Sequence, residues 1–208
     1  MYAEKSKNFI RQYPDFEYSA RLILEIKDQR EVNKLFFELG TKAKDSYFGN
    51  ILKNMILGWS TTSPGMKFPG IEMNTIKGRK IDTDSLRGKY VLIDFWGSWC
   101  QPCLSEIPEL KSLSNKYKDD LIILGIACND NITKLQSAIS ENKIDWPQIL
   151  EGKEKSTKYS TIFGIRSFPT KILINRDGII VDTFIGVSDK NKGQLENIIK
   201  NNYRQHGQ

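Results

Sequence analysis

Two thiols stand three residues apart in Trp99-Cys100-Gln101-Pro102-Cys103, directly after an apolar run that ends at Trp96. If this segment opens a helix, the first thiol meets unpaired backbone amides and the positive end of the helix dipole, both of which favour a thiolate. The second thiol lies one turn further on, within reach of a mixed disulfide formed by the first. The spacing therefore predicts dithiol exchange in which an exposed Cys100 attacks and a more buried Cys103 resolves. Pro102 fits the first helical turn, where a missing N–H costs nothing and the fixed backbone angle suits the helix.

Competing chemistries each lack a residue. A zinc site needs two more ligands, and the chain offers only Cys128 and His206. A c-type haem attachment needs His after the second cysteine, where Leu104 stands. A copper relay wants wider cysteine spacing and a helper histidine. A peroxidatic cysteine wants Thr or Ser three residues before it and Pro seven before it, and Gly97 and Ile93 occupy those positions. Cys128, at the end of an apolar run, reads as a small buried hydrophobe. Asp94 interrupts an otherwise apolar strand; partial desolvation there would raise its pKa and let it trade protons with the resolving thiol. Trp96 and Trp99 either frame the thiols or fill the core.

The elements that must position these residues follow from periodicity. Before residue 60 only helical stripes occur: Phe16, Ala20, Ile23 and Leu24, with Asp15 as cap; Val32, Leu35, Phe36 and Leu39, closing at Gly40; and Phe48, Ile51, Leu52, Met55 and Ile56, closing at Gly58. Residues 59–70, rich in Ser, Thr, Pro and Gly, read as a linker. Beyond it the pattern predicts a hairpin over 71–82, a strand over 90–96, a helix over 100–117, a strand over 121–127 and a helix over 132–142. A short helix over 157–163, two strands joined through Asn175-Arg176-Asp177-Gly178 and a closing helix carrying Leu195, Ile198, Ile199 and Tyr203 complete the order. The division expected is a helical segment over 1–60 and an α/β domain over 61–208, with a mixed sheet and helices on both of its faces.

Composition sets the outer bounds. With 31 Lys and Arg against 25 acidic residues, the net charge is +6 without any block of consecutive basic residues, a pattern that does not point to nucleic acid. No run approaches the roughly 18 apolar residues of a membrane span, and residues 1–14 lack the apolar core of an export signal. A chain of 208 residues with 39% hydrophobic residues needs no disulfide staples, so the cysteine pair is read as chemistry.

The run from Asp94 through Cys103, with Pro108 five residues later, resembles the active-site segment of thioredoxins, and Phe168-Pro169-Thr170 resembles their cis-proline loop. The wider pattern, from Gly65-Met66-Lys67-Phe68-Pro69 through Leu86-Arg87-Gly88-Lys89 to Glu106-Ile107-Pro108, is similar to the TlpA/ResA-type thiol-disulfide oxidoreductases of the cell envelope, relatives of the AhpC/TSA redoxins. The resemblance spans about residues 65–203 and implies a thioredoxin-like fold with a βα insertion around 121–142. It assigns Cys100, Cys103, Glu106 and Asp94 to catalysis, and Trp99, Gln101, Pro102, Phe168 and Pro169 to the substrate, with a cis bond before Pro169 leaving Phe168 to pair with a bound peptide. It further implies disulfide-bearing protein clients, an upstream thiol electron donor, no metal and no cofactor beyond the Cys100–Cys103 disulfide. Pro102 and the absence of His between the cysteines resemble the reducing members. The location implied is the envelope or periplasm, with the cytoplasm as the alternative because the chain shows no export signal. The helical front resembles the segment that precedes the module in larger envelope lipoproteins of Bacteroides-like bacteria, which would make the chain a fragment or a processed form. The other reading is a client-binding or relay module whose functional surface is that helical front.

Overall fold

The computed structural model describes residues 2–152 and 158–203. Contacts divide the chain into two compact units, residues 1–60 and 61–208. The first is helical: α1 (Tyr2–Gln12), α2 (Glu17–Ile23), α3 (Gln29–Glu38), α4 (Thr41–Asp45) and α5 (Tyr47–Thr61). They bury a common core in which Ile10, Ile23, Val32, Leu35 and Leu52 are wholly enclosed. Two expectations fail here for local reasons. Phe16 belongs to no buried stripe: it caps α2 and is 61% exposed. Asp15 does not cap that helix either, because its carboxylate accepts from the amide of Lys42 and thereby caps α4, lying where any side chain at Gly40 would be. Gly58 is buried inside α5, so this helix runs on through the first part of the expected linker.

The rest of that linker is also ordered. The Gly65 amide donates to Ile180, the Ile180 amide to Met66 and the Phe68 amide to Gly178, so residues 65–68 lie along the start of a later strand. The second unit continues with the hairpin β1 (Glu72–Asn74) and β2 (Lys80–Asp82), a 3-10 turn, β3 (Tyr90–Trp96), α6 (Gln101–Lys116), β4 (Leu121–Ala127) and α7 (Ile132–Glu141). It ends with β5 (Gln148–Leu150), α8 (Tyr159–Ile162), β6 (Thr170–Ile174), β7 (Ile180–Ile185) and α9 (Asp189–Tyr203). Thr157, the expected start of the short helix, lies outside the described residues.

The main sheet has the order β5-β4-β3-β6-β7, with β3, β4 and β5 parallel and β6 and β7 antiparallel to their neighbours. β3 is buried along its whole length, as an apolar central strand must be. Its even-numbered residues face α6, α7 and α9; its odd-numbered ones face Phe68, Ile71, Ile81 and Phe163, next to the hairpin and α8. β4 is an interior strand, so the expected insertion over 121–142 is placed differently: the peripheral pieces are α7 and the edge strand β5.

Candidate active site

The cysteines sit where β3 hands over to α6. Cys100 is the N-cap of α6 and its sulfur accepts from the Cys103 amide at 3.3 Å. The two sulfurs are joined in a disulfide. Contrary to the sequence reading, Cys100 is no more exposed than Cys103: each is 4% accessible in the disulfide, and the Cys100 amide donates to Gly97 at the start of the loop that precedes it. What distinguishes the two is place on the helix. Cys100 caps it, and Cys103 begins the buried face that continues through Glu106, Ile107 and Leu110.

That loop is held by residues the motif does not include. The Asp130 carboxylate accepts from the Ser98 amide at 2.6 Å and from its hydroxyl at 2.8 Å, and also from the Asn131 amide. The indole N–H of Trp99 donates to the Cys128 carbonyl at 2.9 Å, and the ring lies across Gly97 so closely that a Cβ there would be 2.4 Å from its nitrogen. Trp99, half exposed, meets the edge of Phe168 at 5.4 Å between ring centres. The Phe168–Pro169 bond is cis. Trp99, Phe168 and the exposed Gln101 and Pro102 thus surround the disulfide, while Trp96 is a core residue whose indole donates to the Gln148 side chain at 2.8 Å. Pro169 is buried, and its carbonyl accepts from the Gly186 amide.

Below the cysteines the sheet carries a polar row. Lys171 on β6, Asp94 on β3, Gly125 on β4 and Gln148 on β5 are cross-strand neighbours. Gly125 lacks a side chain where that of Gln148 crosses the strand to reach Trp96. Lys171 donates to Glu106 of α6 at 2.5 Å in an ion pair whose side chains are 4% and 7% exposed. Asp94 Oδ1 has no hydrogen-bond partner. Burial, helped by the nearby Glu106 charge and opposed by Lys171, pushes the Asp94 carboxyl up to about 6. Cys128 is a free, wholly buried thiol, and burial together with the Glu151 carboxylate pushes its pKa up. His206 lies outside the described residues. Sequence reasoning missed Lys171, Asp130 and Gln148. Of these only Lys171 gave a signal, a lysine inside an apolar strand.

Residues 64–183 match the AhpC/TSA family, and the chain belongs to it. Within it, the protein is a thioredoxin-like thiol-disulfide oxidoreductase of the TlpA/ResA type. It is 30% identical over 137 residues to the thiol-disulfide oxidoreductase ResA of Bacillus thuringiensis, covering 65% of this chain and 76% of the relative. The thioredoxin domain of a thiol-disulfide oxidoreductase from Bacteroides vulgatus superposes with a TM-score of 0.59 at 30% identity, over 66% of this chain and 98% of that domain. A thiol:disulfide interchange protein from a Bacteroides species gives 0.60 at 28% identity, over 71% and 97% of the two chains. Among the described residues no helix is long and apolar enough to cross a membrane.

Proposed function

We propose that the protein reduces disulfides in client proteins of the cell envelope, with Cys100 as the nucleophile and Cys103 as the resolving thiol. The Cys100 thiolate attacks a client disulfide, releasing one client thiolate and forming a mixed disulfide. Cys103 then loses its proton and attacks the Cys100 sulfur; the Cys100–Cys103 disulfide forms and the second client thiolate leaves. Two electrons pass to the client, and an upstream dithiol protein restores the reduced pair. No bound cofactor takes part. The observation that carries this reading is Cys100 at the N-cap of α6, bonded to Cys103 and ringed by Trp99, Gln101, Pro102 and Phe168. The exposed aromatic edge suits an extended polypeptide. Placement in the envelope and the reductive direction rest on the TlpA/ResA resemblance.

Trapping tests it. Cys103→Ser keeps the nucleophile and removes the resolving thiol, so covalent complexes with envelope proteins are expected to accumulate and to dissolve in reductant. Cys100→Ser is expected to trap nothing. Capture of low-molecular-weight thiols alone, or equal capture without Cys100, overturns the reading.

A further inference from the structure

The polar row beneath α6 is a costly feature in a sheet otherwise filled with Ile, Leu and Phe, and the exchange of disulfides does not by itself require a lysine there. Two carboxylates and one ammonium are enclosed together: Asp94 is 5% exposed, Glu106 6% and Lys171 4%. A net charge buried in an apolar surround is strongly disfavoured, so such a set tends to hold one exchangeable proton. The geometry decides which carboxyl holds it. Lys171 is spent on Glu106, to which it is hydrogen-bonded, and Asp94 feels the ammonium only through space and keeps one oxygen unpartnered. The other titratable groups around the set are the Cys128 thiol beyond the end of β4, which Asp94 reaches electrostatically, and Lys192 of α9, paired with Glu109 and acting on Glu106. Glu106 lies one helical turn below Cys103.

The set is not sealed. An open cleft runs between α6 and α9, with Glu106 and Lys171 among its lining residues. The pairs Lys192–Glu109 and Lys116–Glu196 cross it from one helix to the other. It lies along the flank of α6, whereas the disulfide lies at that helix's N-terminus.

We propose that Lys171 is a positioning residue for the exchange: by engaging Glu106 it leaves Asp94 to accept the Cys103 proton, and the α6–α9 cleft is the port through which that proton leaves. The inference deepens the proposed function and rests on its assignment of Cys103 as the resolving thiol. In the resolving step the Cys103 S–H proton passes to the Asp94 carboxylate, the Cys103 sulfur bonds to Cys100, and the departing thiolate carries the electron pair of the broken S–S bond. The proton then leaves Asp94 through the port, or reaches the departing thiolate by way of solvent.

The test uses the full chain and a small aromatic disulfide as oxidant, with the resolving step followed across pH by rapid-mixing tryptophan fluorescence. No protein client is needed, so failure here is separable from failure of the trapping experiment. Lys171→Met removes the cation that holds the Asp94 pKa down. The inflection of the rate profile is expected to move to higher pH by about one unit, with roughly a tenfold loss of rate at pH 5, about a twofold loss at pH 7 and an unchanged alkaline plateau. Lys171→Arg is expected to restore the parent profile. An unmoved inflection, or one that Arg does not restore, overturns the role of Lys171. If Lys171→Met fails to fold, the Glu106→Gln/Lys171→Met pair leaves no unpaired ion; its inflection is expected to move in the same direction by less, because Lys171 acts on Asp94 more strongly than Glu106 does. Ser112→Trp, an exposed position on the cleft wall, is expected to slow the resolving step severalfold without moving the inflection. An unchanged rate overturns the port.

Discussion

At Asp94, burial and ionisation oppose one another, and the direction of the effect on stability can be worked out. The folded carboxyl titrates near 6 against an ordinary value of 3.8, so the native state binds its proton more tightly than the unfolded chain does. Stability from this group is therefore fully present below about pH 4, falls as pH rises through the window from about 4 to about 6, and stays low above it. Asp94→Asn keeps the shape and removes the titration. It is expected to stabilise the protein at pH 7.5 by on the order of 3 kcal/mol and to change little at pH 3.5. Urea unfolding at the two pH values checks this, and equal effects at both would show that burial does not raise the Asp94 pKa. The importance of Asp94 was legible because a carboxylate inside an apolar run has few explanations. Its partner was harder to find: nothing in the spacing links Lys171 to Glu106, 65 positions away, until antiparallel pairing of β6 with β3 sets Lys171 beside Asp94 under α6.

At the scale of elements, the loop from Gly97 to Cys100 depends on a carboxylate from the start of α7. Asp130 accepts three hydrogen bonds, two of them from Ser98, and so fixes the entry to α6. Asp130→Ala leaves those donors unsatisfied. A loss of about 1–3 kcal/mol in stability is expected, together with a severalfold slower attack by Cys100 on a small disulfide, and Asp130→Asn is expected to retain part of both. Calorimetry and single-turnover kinetics read the two effects, and full activity in Asp130→Ala would show that the loop holds itself. The long elements were legible because their periods are unbroken: β3 and β4 have the bounds that the apolar runs predict. The missed elements are short or weakly marked. Beyond its first two residues α1 carries only Phe9 and Ile10 as apolar side chains, and β5 has three residues whose strand character comes from pairing with β4. Gly58 was misread because a glycine inside a helix looks locally like its end, and only burial within α5 tells the two apart.

For the whole molecule, each unit encloses its own hydrophobic core. The disulfide, the polar row and the Trp99–Phe168 edge all belong to residues 61–208. A fragment of those residues is expected to fold and to keep the parent rate of exchange with small disulfides, measured side by side with the full chain. Trapping by its Cys103→Ser form then separates the two readings of the helical unit. If the fragment captures the same proteins as the full chain, the client surface lies around the disulfide; if exchange survives and capture is lost, residues 1–60 supply it. The net charge of +6 is spread over the chain and selects no partner by itself.

The stretch at 65–68, composed like a tether, is hydrogen-bonded to residues 178–180 at the start of β7, the last strand of the sheet. It serves as a selvedge. An outermost strand with free amides and carbonyls invites a second copy to pair with it, and this short length of chain occupies those groups at Gly178 and Ile180. Cover for the start of this edge strand thus comes from residues outside the disulfide site. A fragment starting at residue 61 keeps this protection, and one starting at residue 69 loses it while keeping every residue of the site. The shorter fragment is expected to self-associate as its concentration rises, and light scattering of the two pieces compares them directly.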